Sequence, residues 1–264
     1  NVVNAIIATL RHGGVLGILV WVSPTIEAFF LWQVFISLIA LSILAMKLHH
    51  VLPKSKSPVK FSLDSLLRVR KFAIGMMGIT LLWTIQTQFD KVLLAHYLSL
   101  ENYGYYTIAI TLAAALFLII GPIIQAVYPM MVEQVAKNDQ ENLIKDYHLN
   151  SQLITVIIAP IALVISFYSQ GVIYVWSGNE DLALNAGPIL SVLILGYFFN
   201  GLLALPYHMQ IAHNWVQLAL KTNFIGAVAM VPILILIVPT YGAVGAALVW
   251  LILNIGYFSI QIQF

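Results

Sequence analysis

Charge is scarce in this chain and cysteine is missing from it. Of 264 residues, 8% are charged and none is Cys, where a soluble domain carries about 25% charged residues. Without cysteine there is no disulfide framework, no thiolate metal site and no nucleophilic thiol. The seven histidines are scattered, and the adjacent pair His49 and His50 would point about 100° apart on a helix and share no metal face. No HExxH, GxSxG or Walker A sequence occurs, nor a GxGxxG after a strand, so these routes to hydrolytic, nucleophilic and nucleotide-driven chemistry are excluded. No cofactor is expected. A net charge of +2 is too small to draw a nucleic acid.

What fills the chain instead is apolar surface, with 61% hydrophobic residues. That is more than one soluble core can bury, and it points to an integral membrane protein. A crossing helix needs roughly 20 mostly apolar residues, and eight segments qualify: 2–22, 26–46, 72–98, 103–129, 151–176, 182–207, 215–238 and 241–264. The expected fold class is therefore all-α, a polytopic transmembrane helix bundle. The sequence opens on Asn1 without a signal peptide and ends at Phe264 inside an apolar run, so it is expected to be a piece of a longer polypeptide.

The few charges orient the bundle. Seven of the 12 basic residues (Lys47, Lys54, Lys56, Lys60, Arg68, Arg70 and Lys71) lie in 47–71. Lys137, Lys145 and Lys221 fall in or beside the next two loops on the same side, whereas the short connections opposite and their flanks carry only Glu27, Glu101, Glu180 and Asp181. By the positive-inside rule, 47–71 is cytoplasmic. Tyr97, Tyr103, Tyr105, Tyr106, Tyr174, Trp176 and Tyr241 gather at the opposite boundary as an aromatic belt. The 47–71 segment, broken by Pro53 and Pro58 and followed by Phe61, Leu63, Leu66, Leu67 and Val69, reads as a basic linker with an amphipathic end. It attracts anionic membrane lipid and separates two bundles.

Polar groups inside the spans are the candidates for function. They include the charges Arg11, Asp90 and Lys91. Helical spacing puts Thr80, Thr84, Thr87 and Lys91 on one stripe and Gln86 and Asp90 on the next, which makes a broad polar face on one long helix. Eight residues separate Asp90 from Leu98, about 12 Å of helix, so the pair lies in the outer leaflet. Two readings stay open for Asp90, an interhelical staple or a wall of a polar path. Lys91 and Arg11 can snorkel to a membrane surface, although Gly13, Gly14 and Gly17 also let a helix close in beside Arg11. Gly121, Pro122, Pro160 and Pro206 are candidate kinks of a mobile bundle.

The run QFDKVLLAHYLSLENYGYYTIA (88–109), with Glu101, Gly104 and Tyr106 in its second half, resembles a recurring element of the polysaccharide and O-antigen flippases. LRHGGVLGILVWVSPTIEAFFLWQ (10–33) and YGAVGAALVWLI (241–252) resemble an earlier helix pair and the final span of the same family. That family sits in the multidrug/oligosaccharidyl-lipid/polysaccharide superfamily. The resemblance implies a MATE-like architecture of two six-helix lobes around a central cavity, with most of the first lobe missing. Residues 1–46 would then be the last two helices of the N-terminal lobe, 47–71 the cytoplasmic linker and 72–264 the six-helix C-terminal lobe. It further implies a multi-pass protein of the bacterial inner membrane, not an enzyme. The cargo would be a lipid-linked oligosaccharide on undecaprenyl pyrophosphate, turned from the inner to the outer leaflet by alternating access. Arg11 would meet the pyrophosphate, and Asp90, with Gln86, Thr87 and Lys91 beside it, would line the cavity. Asp90 would either pair with a basic residue or carry a coupling proton or Na+. A cation-coupled drug exporter of the same superfamily is the alternative. A membrane-embedded polysaccharide-processing enzyme fits less well, because the external loops are short.

With no cysteine in these 264 residues, the orientation is measurable by comparing single-cysteine variants with the parent protein. In spheroplasts bearing the full-length protein, an impermeant maleimide is expected to label Glu180→Cys and to leave Lys56→Cys unlabelled until the membrane is opened. The opposite pattern would invert the topology.

Overall fold

The computed structural model describes residues 2–21, 23–51 and 62–261. Every regular element among them is an α-helix. The chain divides into two compact units, Asn1–Ser62 and Leu63–Phe264.

The first unit is a hairpin of α1 (Val2–Trp21) and α2 (Ile26–Val51). Its turn carries Thr25, whose side-chain oxygen accepts from the Ala28 N–H at 3.2 Å and so satisfies one of the orphan donors of α2. Val15 and Ile36 are buried in the hairpin, while Phe30, Leu31, Phe35, Leu38 and Leu41 are exposed. A helix apolar on every side needs lipid or other helices around it.

The second unit holds α3 (Leu63–Tyr97), α4 (Leu100–Ala114), α5 (Leu116–Lys137), α6 (Gln140–Phe167), α7 (Ser169–Ser177), α8 (Glu180–Leu202), α9 (Ala204–Ala212) and α10 (Val216–Gln261). Turn chemistry starts the helices where polar residues interrupt the apolar runs. Ser99, Asp139 and Asn179 cap α4, α6 and α8 by accepting from the N–H three residues on, each contributing about 1 kcal/mol.

Helix α8 is the centre of this unit and packs against α4, α6, α7 and α10. Between lipid-facing helices there is no hydrophobic driving force, so close packing and polar contacts hold them together. Small residues serve that purpose on α8, where Ala183, Ala186, Gly187, Gly196 and Gly201 are all buried. Ser166 of α6 and Ser191 of α8 add a reciprocal pair, each hydroxyl donating to the other residue's carbonyl at 3.0 and 2.8 Å.

Among the described residues, five helical runs are long and apolar enough to cross a membrane: Ile26–His50, Leu100–Lys137, Gln140–Phe167, Glu180–Ala212 and Val216–Gln261. The chain is thus an all-α, multi-pass membrane protein. The last run has 46 residues, about 69 Å if straight, more than twice the roughly 30 Å hydrocarbon core. It breaks at Gly242 (φ 55°, ψ −138°) into limbs 216–241 and 243–261, so it covers two expected spans. Helix α3 falls outside these five, because the polar face centred on Gln86 lowers its hydropathy. Among the described residues, a further apolar helical stretch runs over Ile6–Trp21 of α1.

Several expectations about connections are corrected. The loop expected at 130–150 is mostly helix, since α5 runs to Lys137 and α6 starts at Gln140. Glu, Gln, Lys and Met are good helix formers in water as well as in lipid, so the helices continue beyond the apolar zone. Only Asn138, in the left-handed conformation (φ 55°), and Asp139 turn the chain. For the same reason Leu63 already belongs to α3, rather than to a separate surface segment; Pro53, Pro58 and Phe61 lie outside the described residues. The spans expected at 103–129, 151–176 and 182–207 are interrupted at Ala115, Tyr168 and Leu203. Pro206 follows the last interruption and cannot donate to the Leu202 carbonyl. Gly121 and Pro122 lie within α5 and Pro160 within α6, both of which continue through them.

The conformation at Gly242 is one that residues with a side chain rarely adopt. Gly242→Ala is expected to destabilise the full-length protein by about 1–3 kcal/mol, read as a lower thermal midpoint in detergent. Gly256→Ala, which adds a methyl group into open space on the same helix, should be neutral or stabilising by up to about 1 kcal/mol. Equal midpoints for the two variants would contradict the break.

Candidate functional site

Helix α3 carries the polar face, and the fold treats its two stripes differently. Gln86 and Asp90 point inward and are 1% and 6% exposed. Thr80 and Thr84 are exposed and Thr87 is half-buried. All three hydroxyls donate back to carbonyls of their own helix, at Met76, Thr80 and Trp83. Lys91 donates to Gln88 Oε1 at 3.2 Å, three residues back on its own helix. The adjacent charges of Asp90 and Lys91 are therefore not hydrogen-bonded to each other.

Asp90 accepts a hydrogen bond from the Tyr106 hydroxyl of α4, and its Oδ1 is buried without a partner. Gln86 is more fully used. Its Nε2 donates to the Asn223 carbonyl at 2.9 Å and contacts Asn223 Oδ1 at 3.4 Å, while its Oε1 accepts from the Tyr257 hydroxyl at 2.8 Å. Asn223 stands on the first limb of α10 and Tyr257 on the second, so one side chain ties α3 to both. The approach depends on Gly226, because a Cβ there would collide with the Tyr257 hydroxyl.

Beside this junction lies a cleft of about 310 Å³, lined by Thr80 and Trp83 of α3, Phe117 of α5, Asn200 of α8, Tyr207 and His208 of α9, and Asn223 and Tyr257 of α10. Gln86 thus positions two of the lining residues without being one itself. Trp83 is braced edge-on by Trp250 at a centroid distance of 6.0 Å, and Trp250 packs on Tyr197 at 5.7 Å. Asn200 donates to Asn254 Oδ1 at 2.6 Å, which fixes α8 to the second limb of α10. A neighbouring cavity of about 740 Å³, lined among others by Tyr147, Gln210, His213 and Phe258, shares Leu203 and Gln261 with the cleft. Among the described residues, no group of three His, Cys, Asp or Glu can hold a metal ion.

Arg11 belongs to the first unit. Its Nη2 reaches Ser37 Oγ on α2 at 3.4 Å, its carbonyl accepts from Trp32 Nε1 at 3.3 Å, and its Nε is buried without a partner. No carboxylate pairs with it among the described residues. Of the five candidates Arg11, Gln86, Asp90, Thr87 and Lys91, the fold brings Gln86 and Asp90 together in the interior and leaves Thr87 and Lys91 on the less buried side of α3.

Sequence reading overlooked Asn200, Asn223, Tyr257 and Trp83. A signal was available. Asn200, Asn223 and Asn254 sit within the apolar runs FFNGLL, KTNFIG and LILNIG, and an amide inside a span needs partners as a charge does. Weighing formal charges alone passed over them.

Residues 2–184 match the family model described as "Polysaccharide biosynthesis protein". A curated protein of Shigella flexneri, named "Putative O-antigen transporter", is 24% identical over 238 residues, 90% of this chain and 55% of that protein. The chain therefore spans about half the length of this relative. No solved structure matches it.

The Gln86 junction predicts a stability difference along one helix. Gln86→Leu leaves the buried Tyr257 hydroxyl and the Asn223 carbonyl without partners and is expected to cost about 1–3 kcal/mol. Thr84→Val removes only an exposed bond within the helix and should stay within about 0.5 kcal/mol. Thermal midpoints of the two purified variants check this, and a smaller loss for Gln86→Leu than for Thr84→Val would refute the junction.

Proposed function

The chain belongs to the polysaccharide biosynthesis protein family, and from that premise we propose that it is part of a transporter that moves a polysaccharide unit across the bacterial inner membrane. The cargo is an oligosaccharide on an undecaprenyl pyrophosphate carrier, flipped from the inner to the outer leaflet by alternating access. The observation that carries this reading is the cleft beside Gln86. It lies between the helices of the second unit, and its wall combines the rings of Trp83, Tyr207 and Tyr257 with the amides of Asn200 and Asn223. A sugar ring has apolar C–H faces and a rim of hydroxyls, and such a wall suits both. The relative's name supports transport over catalysis.

Roles for the charged groups follow from their chemistry. A pyrophosphate needs cations in a low-dielectric setting, and Arg11, with its Nε unpartnered, is the residue of this chain assigned to it. The half-paired carboxyl of Asp90 is the candidate for a coupling proton or Na+, since no basic side chain satisfies it. Thr87 and Lys91 contribute the half-buried polar flank of α3. Gly121, Pro122, Pro160 and Pro206 are the positions at which the helices bend between states, with the break at Leu203 beside Pro206 giving that position local support.

The test is made in cells. In a strain deleted for the gene, full-length protein is expected to restore surface polysaccharide, whereas Arg11→Ala and Asp90→Asn, made at normal protein level, restore it several-fold less. Normal polysaccharide in the deletion strain, together with a new sensitivity to cationic drugs, would overturn the reading in favour of a drug exporter.

A further inference from the structure

We propose that the cleft between α3, α8, α9 and α10 binds a neutral, hydroxyl-rich sugar and excludes anionic groups, so that it takes the sugar end of the cargo and not the pyrophosphate or a uronic acid. This deepens the transport reading above and rests on it.

The argument begins with the charges. Among the described residues, no Asp, Glu, Lys or Arg lines the cleft. The nearest carboxylate along α3 is Asp90, one turn beyond Gln86, buried and not part of the cleft wall. Moving a phosphate or carboxylate out of water without a cation to receive it is strongly unfavourable. A neutral sugar meets no such barrier.

The hydrogen-bond polarity of the wall agrees. The Thr80 hydroxyl donates to the Met76 carbonyl at 2.9 Å, and the Tyr257 hydroxyl to Gln86 at 2.8 Å. His208 Nδ1 lies 2.6 Å from the Ala204 carbonyl, so Nδ1 carries the hydrogen and Nε2, when the ring is neutral, is an acceptor. Asn200 has committed one N–H to Asn254, and its Oδ1 accepts from no group among the described residues. Thr80, Tyr257 and His208 therefore each present an acceptor whose own hydrogen is spoken for, and Asn200 presents an amide oxygen. Sugar hydroxyls donate to such atoms, whereas the oxygens of an anion have nothing to donate. The Tyr207 hydroxyl and the second amide hydrogens of Asn200 and Asn223 remain to satisfy the lone pairs of those same hydroxyls. Trp83 supplies the flat apolar face, held in place by Trp250.

The test uses purified full-length protein in lipid nanodiscs and saturation-transfer NMR, which detects weak ligands. The probes are methyl N-acetyllactosaminide as neutral sugar, methyl glucuronide as its acidic counterpart, and inorganic pyrophosphate. The neutral glycoside is expected to bind, to resist displacement by the two anions, and to bind several-fold more weakly to Asn200→Leu and to Thr80→Val. The second variant removes an exposed hydroxyl and keeps the fold if the first does not. His208→Arg is expected to admit methyl glucuronide. Displacement of the neutral glycoside by glucuronide or pyrophosphate, full binding by both Asn200→Leu and Thr80→Val, or no binding of the neutral glycoside would each overturn the proposal. Normal surface polysaccharide in the deletion strain alongside normal glycoside binding would instead overturn only the transport reading.

Discussion

A single buried amide holds the second unit in register. Gln86 bonds to the backbone of one limb of α10 and to a hydroxyl of the other while standing on α3. In a membrane the usual cause of compaction is missing, because lipid tails solvate leucine as well as another leucine does. Specific polar pairs must then decide which helix meets which. Tyr106–Asp90 joins α4 to α3, Asn200–Asn254 joins α8 to α10, and Ser166–Ser191 joins α6 to α8. Of the helices these pairs join, α3, α8 and α10 line the cleft.

Much of this could be read from the order of residues. Apolar runs of crossing length, separated by short polar connections such as Ser99 and Asn179, were visible as an all-helical membrane bundle. So was the stripe that unites Gln86 with Asp90. What the pattern did not reveal was which stripe turns inward. Threonine hydroxyls satisfy themselves on their own helix, so Thr80 and Thr84 tolerate exposure to an apolar surrounding, whereas Gln86 and Asp90 find their partners on other helices. The breaks at Ala115 and Tyr168 were also illegible. No proline or glycine marks either place. The run from Met130 to Asn150 misled for a different reason, since polarity there signals water and not the end of a helix.

Under the proposed function, the charges and the cleft divide the labour of handling an amphiphilic cargo. Among the described residues no cation lines the cleft, while Arg11 on the other unit carries an unpartnered nitrogen. A sugar and its anionic anchor would present opposite demands, and the proposal distributes them over different parts of the polypeptide.

Gly242 has a mechanical corollary. The two limbs of α10 are joined by one residue and no loop, so the joint has two torsions and no slack. A turn of about 10° there would sweep the far end of the 19-residue second limb, about 28 Å distant, through roughly 5 Å. That limb carries Asn254, Tyr257 and Gln261, which are the anchor of Asn200, the partner of Gln86 and a wall of the cleft. The limb is a lever with its fulcrum at a glycine and its load at the cleft, and the Gln86 bond is the latch that sets its angle.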